Sequence, residues 1–514
     1  MDSKEMSAGR GSRLAENTAA LTAAGAAQIF FTLVQLGILS RALGAERFGL
    51  FVAQKGFALL AATVMLLGLP QVLVRFLPSF QSRGQKGRAA AWFLVFCVAV
   101  GSIALTLHLT SESWSGIVPG FAAGGTGGEA FRWILLAAAA TALKLLLYGG
   151  FAGLREMRMQ MIFEMVYQVA LTAWILAVRA RVDIPTLFRM IAVLGASVFA
   201  AGLPVYMRFV SRMDGFASED GGRIAIPSPA GYWGYALVLS LAALAFTDVD
   251  RFVMSSLLPL AAISVYHVSS RMNQLLKRFL GFPVVALQPE LTRIYEEGRW
   301  SDLSGRILLF TKVTLVAALA TTALAAAAGR EVIILISGEE YAGAYWILLL
   351  LLPTVPAAAL IAPLTTSMRA LHFMGMAVVC DLAWMAVYLA GMFVLIPVLG
   401  LPGTAAAQLA ATAAQAALAL ALARRIGFYG GAGGAGMLWV LAVSAVFALA
   451  GAAATFRWGL PAAAACIVLS PFVFRETVGR AGVFEPGERE MVATLVPPGA
   501  VRKAVAWAMR GEGA

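Results

Sequence analysis

His267, Arg271, Gln274 and Arg278 recur at steps of four, three and four residues within HVSSRMNQLLKRFLGFP, residues 267–283, and Lys277 lies beside them. That spacing lines one face of an α-helix. The surrounding stretch, 261–287, has membrane-spanning length, and an arginine inside a bilayer is tolerated where it faces protein or water, which makes it a candidate for a transport path. A guanidinium holds phosphate oxygens through paired hydrogen bonds, whereas a lysine supplies a mobile point charge. The stripe therefore predicts capture of an anionic headgroup, with His267, Arg271, Gln274, Lys277 and Arg278 as its contacts. A second reading stays open, in which Lys277 and Arg278 snorkel to the cytoplasmic interface and Arg271 pairs with an acid.

Other polar residues interrupt apolar sequence. Gln28, Thr32 and Gln35 share a helical face, Lys55 lies early in the second apolar stretch and Lys144 late in the fourth. Together they can extend a hydrophilic cavity, or each can pack or snorkel on its own. Glu164 and Gln168 are four residues apart, and Asp381 sits in VVCDLAWMAVYL. Either acid suits coupling to H+ or Na+ if it is unpaired, or service as a counterion to a base. Asp248, Asp250 and Arg251 in TDVDRF suit an outer gate or a structural anchor, since adjacent opposite charges offset one another's desolvation.

Ordinary catalysis has little to work with. There is no HExxH, Walker or GxSxG sequence and no ATP-binding domain. His108, His267 and His372 are widely separated, and Cys97, Cys380 and Cys466 fall inside apolar stretches as small hydrophobes, so no metal grouping or disulfide framework is expected. A non-enzyme that needs no cofactor fits this inventory, with H+ or Na+ as the possible coupling ion.

The elements that must position these residues are membrane helices. The 514 residues are 60% hydrophobic and 13% charged, far from the balance of a soluble domain. A hydrocarbon core of about 30 Å takes roughly 20 helical residues. Apolar windows of that size cover 18–40, 49–70, 90–108, 131–151, 161–178, 187–207, 232–256, 261–287, 307–328, 341–363, 372–396, 404–423, 436–455 and 459–474. The prediction is an all-α polytopic membrane protein of about 14 transmembrane helices. The first window follows a polar start and runs on without a cleavage site, so it reads as a retained helix.

The formal net charge of +12 is scattered through short loops, without the basic arm of a nucleic-acid binder. Arg10 and Arg13, then Arg83, Lys86 and Arg88, then Arg155 and Arg158, then Arg208 and Arg212 fall in every second connection, and the pattern continues to Arg424 and Arg425. The positive-inside rule places those connections and both termini in the cytoplasm, with the chain in a bacterial inner membrane. Two bundles of six helices, 14–207 and 232–425, flank a cytoplasmic connection at 208–231, and their equal span number fits a parallel repeat. A further helix pair, 436–475, either braces the bundle or lines a lipid groove. The tail, 476–514, holds VRKAVAWAMR, which suits a basic amphipathic helix at the inner surface or a loosely ordered end.

The segments ILSRALGAERFGLFVAQKG (38–56) and LGLPQVLVRFLPSF (67–80) resemble the opening of oligosaccharide flippases of the polysaccharide transporter family, through Arg41, Leu43, Gly44, Phe48, Gly49, Gly68 and Arg75. TDVDRFVMSSLLPLAAISVYHVSSRM, ELTRIYEEGRWSDL, ISGEEYAGAYWILLLL and LIPVLGLPGTAAAQLA resemble later family segments, so the similarity spans roughly 14–425. This implies a two-bundle flippase of the multidrug, oligosaccharidyl-lipid and polysaccharide exporter superfamily. Its implied cargo is a polyprenyl-diphosphate-linked oligosaccharide, carried among membrane phospholipids between glycosyltransferase and polymerase partners. A multidrug or cation antiporter of the same superfamily is the nearest alternative, and would favour acids over an arginine stripe. A membrane glycosyltransferase or polymerase would concentrate polar residues in a large outer loop, which 109–130 does not provide.

Overall fold

The computed structural model describes residues 3–111, 128–154, 156–213, 249–296, 300–371, 373–427 and 434–484, with 233–234, 236–237, 240 and 488 besides. All regular structure among them is helical. In chain order the α-helices are α1 (Ser3–Leu66), α2 (Leu69–Ser82), α3 (Lys86–Leu109), α4 (Gly128–Gly153), α5 (Met157–Val178), α6 (Ile184–Ser211) and α7 (Val249–Met254). They continue with α8 (Leu260–Glu296), α9 (Trp300–Ser337), α10 (Ala344–Leu351), α11 (Thr354–Ala370), α12 (Met374–Leu399), α13 (Leu401–Ile426), α14 (Gly434–Trp458) and α15 (Leu460–Ala481).

Eleven segments among the described residues are long and apolar enough to cross a membrane, and the first of them, Ala27–Leu66, runs to 40 residues. It is two helices that meet at Gly44, whose φ of 70° and ψ of 170° leave the helical region. The windows expected at 18–40 and 49–70 are thus the two arms of α1, with no separate loop between them. About half of the expected seventh span, 232–256, lies outside the described residues. The expected eighth, α8, is helical throughout, but its charge and amides keep it off the apolar count. At 1.5 Å per residue its 37 residues reach about 55 Å, well beyond the hydrocarbon. Part of the polar stretch 288–306 is therefore helix, as is the stretch around Arg75, which belongs to α2.

The chain divides into two compact units, Glu16–Ser264 and Val265–Ala514 with Met1–Ala15. The division falls within α8, later than the polar connection at 208–231. In the first unit α4 packs against α2, α3 and α6; in the second α11 packs against α9 and α13, and α12 pairs with α13. Lipid offers apolar surface as good as a neighbouring helix, so these contacts depend on close approach and polar bonds. A Cβ on Gly149 of α4 would meet Pro70 of α2 at 2.7 Å, and one on Gly451 of α14 would meet Ala327 of α9 at 2.3 Å. Three Gly-Leu-Pro tripeptides, at 68–70, 400–402 and 459–461, open α2, α13 and α15, with proline in the first turn where no amide donor is needed.

The pair α14 and α15 packs on α9 through Leu309, Leu319, Val440, Val478, Val483 and Phe484. Thr455 of α14 donates to the Ala327 carbonyl of α9 at 2.8 Å, and Lys312 of α9 reaches Glu488, beyond α15, at 2.9 Å. The rest of the tail lies outside the described residues.

Candidate functional site

Two faces of α8 do different work. Tyr266, Ser269, Asn273, Leu276 and Leu280 form one of them. Ser269 donates to the Ala344 carbonyl at 2.6 Å, Asn273 donates to Thr354 Oγ1 at 3.1 Å, and Leu280 packs with Ala318, Val355 and Ala359. This face anchors the helix to its own unit. At 100° per residue the stripe of His267, Arg271, Gln274 and Arg278 lies on the opposite side. Arg271 Nη1 donates to Gln274 Oε1 at 3.0 Å, and Gln274 Nε2 stands 3.5 Å from Ser270 Oγ. Arg271 Nη1 is thereby oriented by a residue of its own helix. Arg278 is exposed, and Lys277 is half-buried and turned off the stripe toward the anchored face. His267 is buried at one end.

The first unit holds a polar cluster that joins α1, α4 and α5. Glu164 accepts from Lys144 Nζ at 3.0 Å, from Tyr148 OH at 3.0 Å and from Gln168 Nε2 at 2.7 Å. Gln35 of α1 donates in turn to Gln168 Oε1 at 3.0 Å and to Thr172 Oγ1 at 2.9 Å. The Lys144 ammonium also sits 3.8 Å from the centre of the Tyr167 ring, a cation–π contact. Glu164 thus has a base partner, and the base is a lysine of the neighbouring helix. Tyr148, Tyr167 and Thr172 were missed by the sequence reading, although the signal was present. Tyr148 is four residues from Lys144, and Tyr167 is three from Glu164.

The second unit has a counterpart. Asp381 Oδ2 accepts from Arg369 at 2.8 Å and Asp381 Oδ1 from Gln415 at 3.1 Å, which ties α11, α12 and α13 together. Glu164 stands seven residues after the start of α5 at Met157, and Asp381 seven after the start of α12 at Met374. The two helices open on MRMQMIFEMVY and MGMAVVCDLAW, sharing Met-x-Met, the acid and an aromatic three residues later. Each unit thus joins neighbouring helices through an acid–base pair whose acid stands at the same offset from its helix start, while the bases, Lys144 and Arg369, lie at different distances from their helix ends. Asp381→Ala is expected to lower stability by about 1–3 kcal/mol, because it strands the buried Gln415 amide. A double-mutant cycle with Arg369→Met should give a coupling below about 1 kcal/mol, since the Arg369 side chain is 42% exposed. Thermal unfolding of the purified variants checks both.

The other candidates scatter. Asp250 and Arg251 form a buried pair in α7 at 2.6 Å, and Asp250 also accepts from the Arg251 amide. Asp248 lies outside the described residues. Lys55 is half-buried in the second arm of α1, and Gln28 is half-buried with its backbone carbonyl accepting from Thr32 Oγ1. Of the first-unit residues proposed to line a cavity, Gln35 and Lys144 are brought together and Gln28 stays apart. Among the described residues no group of histidine, cysteine and carboxylate side chains has the arrangement of a metal site.

No family model and no curated protein matches the sequence. The fold does match solved structures. The lipid II flippase MurJ in an inward closed conformation aligns with a TM-score of 0.60 at 12% identity, over 87% of this chain and 97% of that one. The MATE multidrug transporter DinF-BH aligns at 0.52 with 12% identity over 79% and 94%, and the Vibrio cholerae MATE transporter VcmN in its bent form at 0.50 with 13% over 83% and 99%. A multidrug resistance MATE family transporter of the MOP superfamily aligns at 0.50 with 15% identity. The multi-pass, all-α fold of this chain is similar to that of the flippase MurJ and of these MATE transporters.

Proposed function

We propose that this chain flips a polyprenyl-diphosphate-linked oligosaccharide from the cytoplasmic to the outer leaflet of a bacterial inner membrane, with both termini in the cytoplasm. The observation that carries this reading is the cationic face of α8, set opposite the face that anchors the helix. Arg271, with Lys277 and Arg278 nearby, neutralises diphosphate oxygens, and the amide of Gln274 and the ring of His267 meet sugar hydroxyls. The isoprenoid tail stays among the phospholipids. Polymerase and glycosyltransferase partners consume and supply the cargo.

A cation antiporter on the same fold would need an acid open to its substrate. Glu164 and Asp381 each hold a basic partner instead, whereas neither Lys277 nor Arg278 has an acidic partner among the described residues. The buried Asp250–Arg251 pair serves as an anchor. The substrate gradient drives the cycle, and two states of differing affinity for the headgroup suffice to turn it over. The test is translocation of a fluorescent polyprenyl-diphosphate oligosaccharide in proteoliposomes. Faster headgroup movement than in empty vesicles is expected. Absence of movement with several lipid-linked glycans at verified insertion, alongside export of an organic cation, would replace this reading with the antiporter.

A further inference from the structure

The cluster around Glu164 has the make-up of a small-cation site that is already full. A carboxylate lies 3.0 Å from the Lys144 nitrogen on one side, and two tyrosine rings, Tyr167 at 3.8 Å and Tyr148 at 5.5 Å to their centres, wall the others. The lysine is 7% exposed and Tyr167 8%. Counting 1.5 Å per residue from the turn between α4 and α5, Lys144 and Glu164 lie about 10–14 Å along their helices, within the hydrocarbon. At that depth neither charge is sustained alone. The remaining oxygens and amides are satisfied as well, through Gln168, Gln35 and Thr172. One carboxylate and aromatic faces are the chemistry that selects an organic ammonium over a hard metal ion, which asks for more oxygens.

We propose that this is an ammonium-binding site whose ligand is the chain's own Lys144, so that the first unit carries its cation permanently and needs no Na+ or K+ to keep Glu164 neutralised. The inference concerns resident charge and stands whatever the transported cargo is. Emptying the site leaves an orphaned carboxylate and a slot of defined shape. Cutting Lys144 back to alanine removes the equivalent of n-propylammonium, and that ion becomes the probe.

The test is thermal unfolding of the full-length protein in detergent. The native chain should unfold at the same temperature in sodium, potassium or choline chloride. Lys144→Ala should unfold several degrees lower, and n-propylammonium, but not n-propanol or Na+ at equal concentration, should restore most of the loss. A Lys144→Ala, Glu164→Gln chain, with no carboxylate to orphan, should recover stability and ignore the amine. If Lys144→Ala alone yields no folded protein, a folded and amine-insensitive double variant supports the proposal, and an equally unfolded one overturns it. Rescue by n-propanol equal to that by the amine would also overturn it, because the slot would then be apolar packing. So would Na+ dependence of the native chain that vanishes in Glu164→Gln.

Discussion

Arg271→Ala is expected to cut headgroup translocation by about 10- to 100-fold while leaving the helix bundle folded. One charge-assisted hydrogen bond to a phosphate oxygen contributes about 1.5–3 kcal/mol, and about 1.4 kcal/mol corresponds to a factor of ten. Arg271 lies on the side of α8 opposite Ser269 and Asn273, and its Nη1 is oriented by Gln274. Arg271→Lys should fall between the two, since the charge remains and the planar fork does not. The matched control is Asn273→Ala on the anchoring face. It breaks the bond to Thr354 within a site that is fully buried, and should lower thermal stability with little change in the rate per folded molecule. Initial rates in proteoliposomes, normalised to inserted protein, separate the two residues. Native rates in Arg271→Ala would remove the cationic face from the mechanism.

Gly49→Ala should be the most damaging of the small substitutions in the first unit. A Cβ there would lie 1.8 Å from the Leu260 carbonyl oxygen, which is backbone at the start of α8 and has no rotamer to change. Overpacking of this kind costs about 1–3 kcal/mol, and more where the obstruction is rigid. Gly44→Ala makes an instructive contrast, because nothing lies within 4 Å of its Cβ and its φ of 70° is the sole obstacle. Backbone at φ 70° and ψ 170° is essentially confined to glycine and costs another residue about 1–3 kcal/mol. Fluorescence-detected size-exclusion chromatography is expected to show loss of the monodisperse peak for Gly49→Ala. Gly44→Ala should keep that peak and unfold at a lower temperature. The opposite ranking would mean that the bend, and not the helix contact, limits folding.

Two glycines between Arg41 and Gly49 have distinct structural roles. Gly44 is where α1 turns from one span to the next, and Gly49 is where its second arm touches backbone. Other features escaped the sequence reading because their cause is not periodic. The two arms of α1 are two helices that meet at Gly44, where the helical dihedrals break at a single residue. The seven-residue offset shared by Glu164 and Asp381 became visible once the starts of α5 and α12 were known, because an apolar window marks a helix without marking its first residue.

Composition and hydropathy determine the fold class of this protein. Water-poor surroundings force every backbone amide into a helix, so some twenty apolar residues read as a span with little help from context. Helical spacing likewise placed His267, Arg271, Gln274 and Arg278 on one face before any coordinates. Tertiary structure decided which charges have partners. Lys144 meets Glu164 across 20 residues, Asp381 meets Arg369 across 12 and Gln415 across 34, and Gln35 meets Gln168 across 133. Those pairings depend on how neighbouring helices are rotated about their axes, and that rotation is set by close contacts such as Gly149 on Pro70 and Gly451 on Ala327, which leave no period in the sequence. A carboxylate in an apolar run therefore announces that it must be compensated, and only the packing of the helices around it says by what.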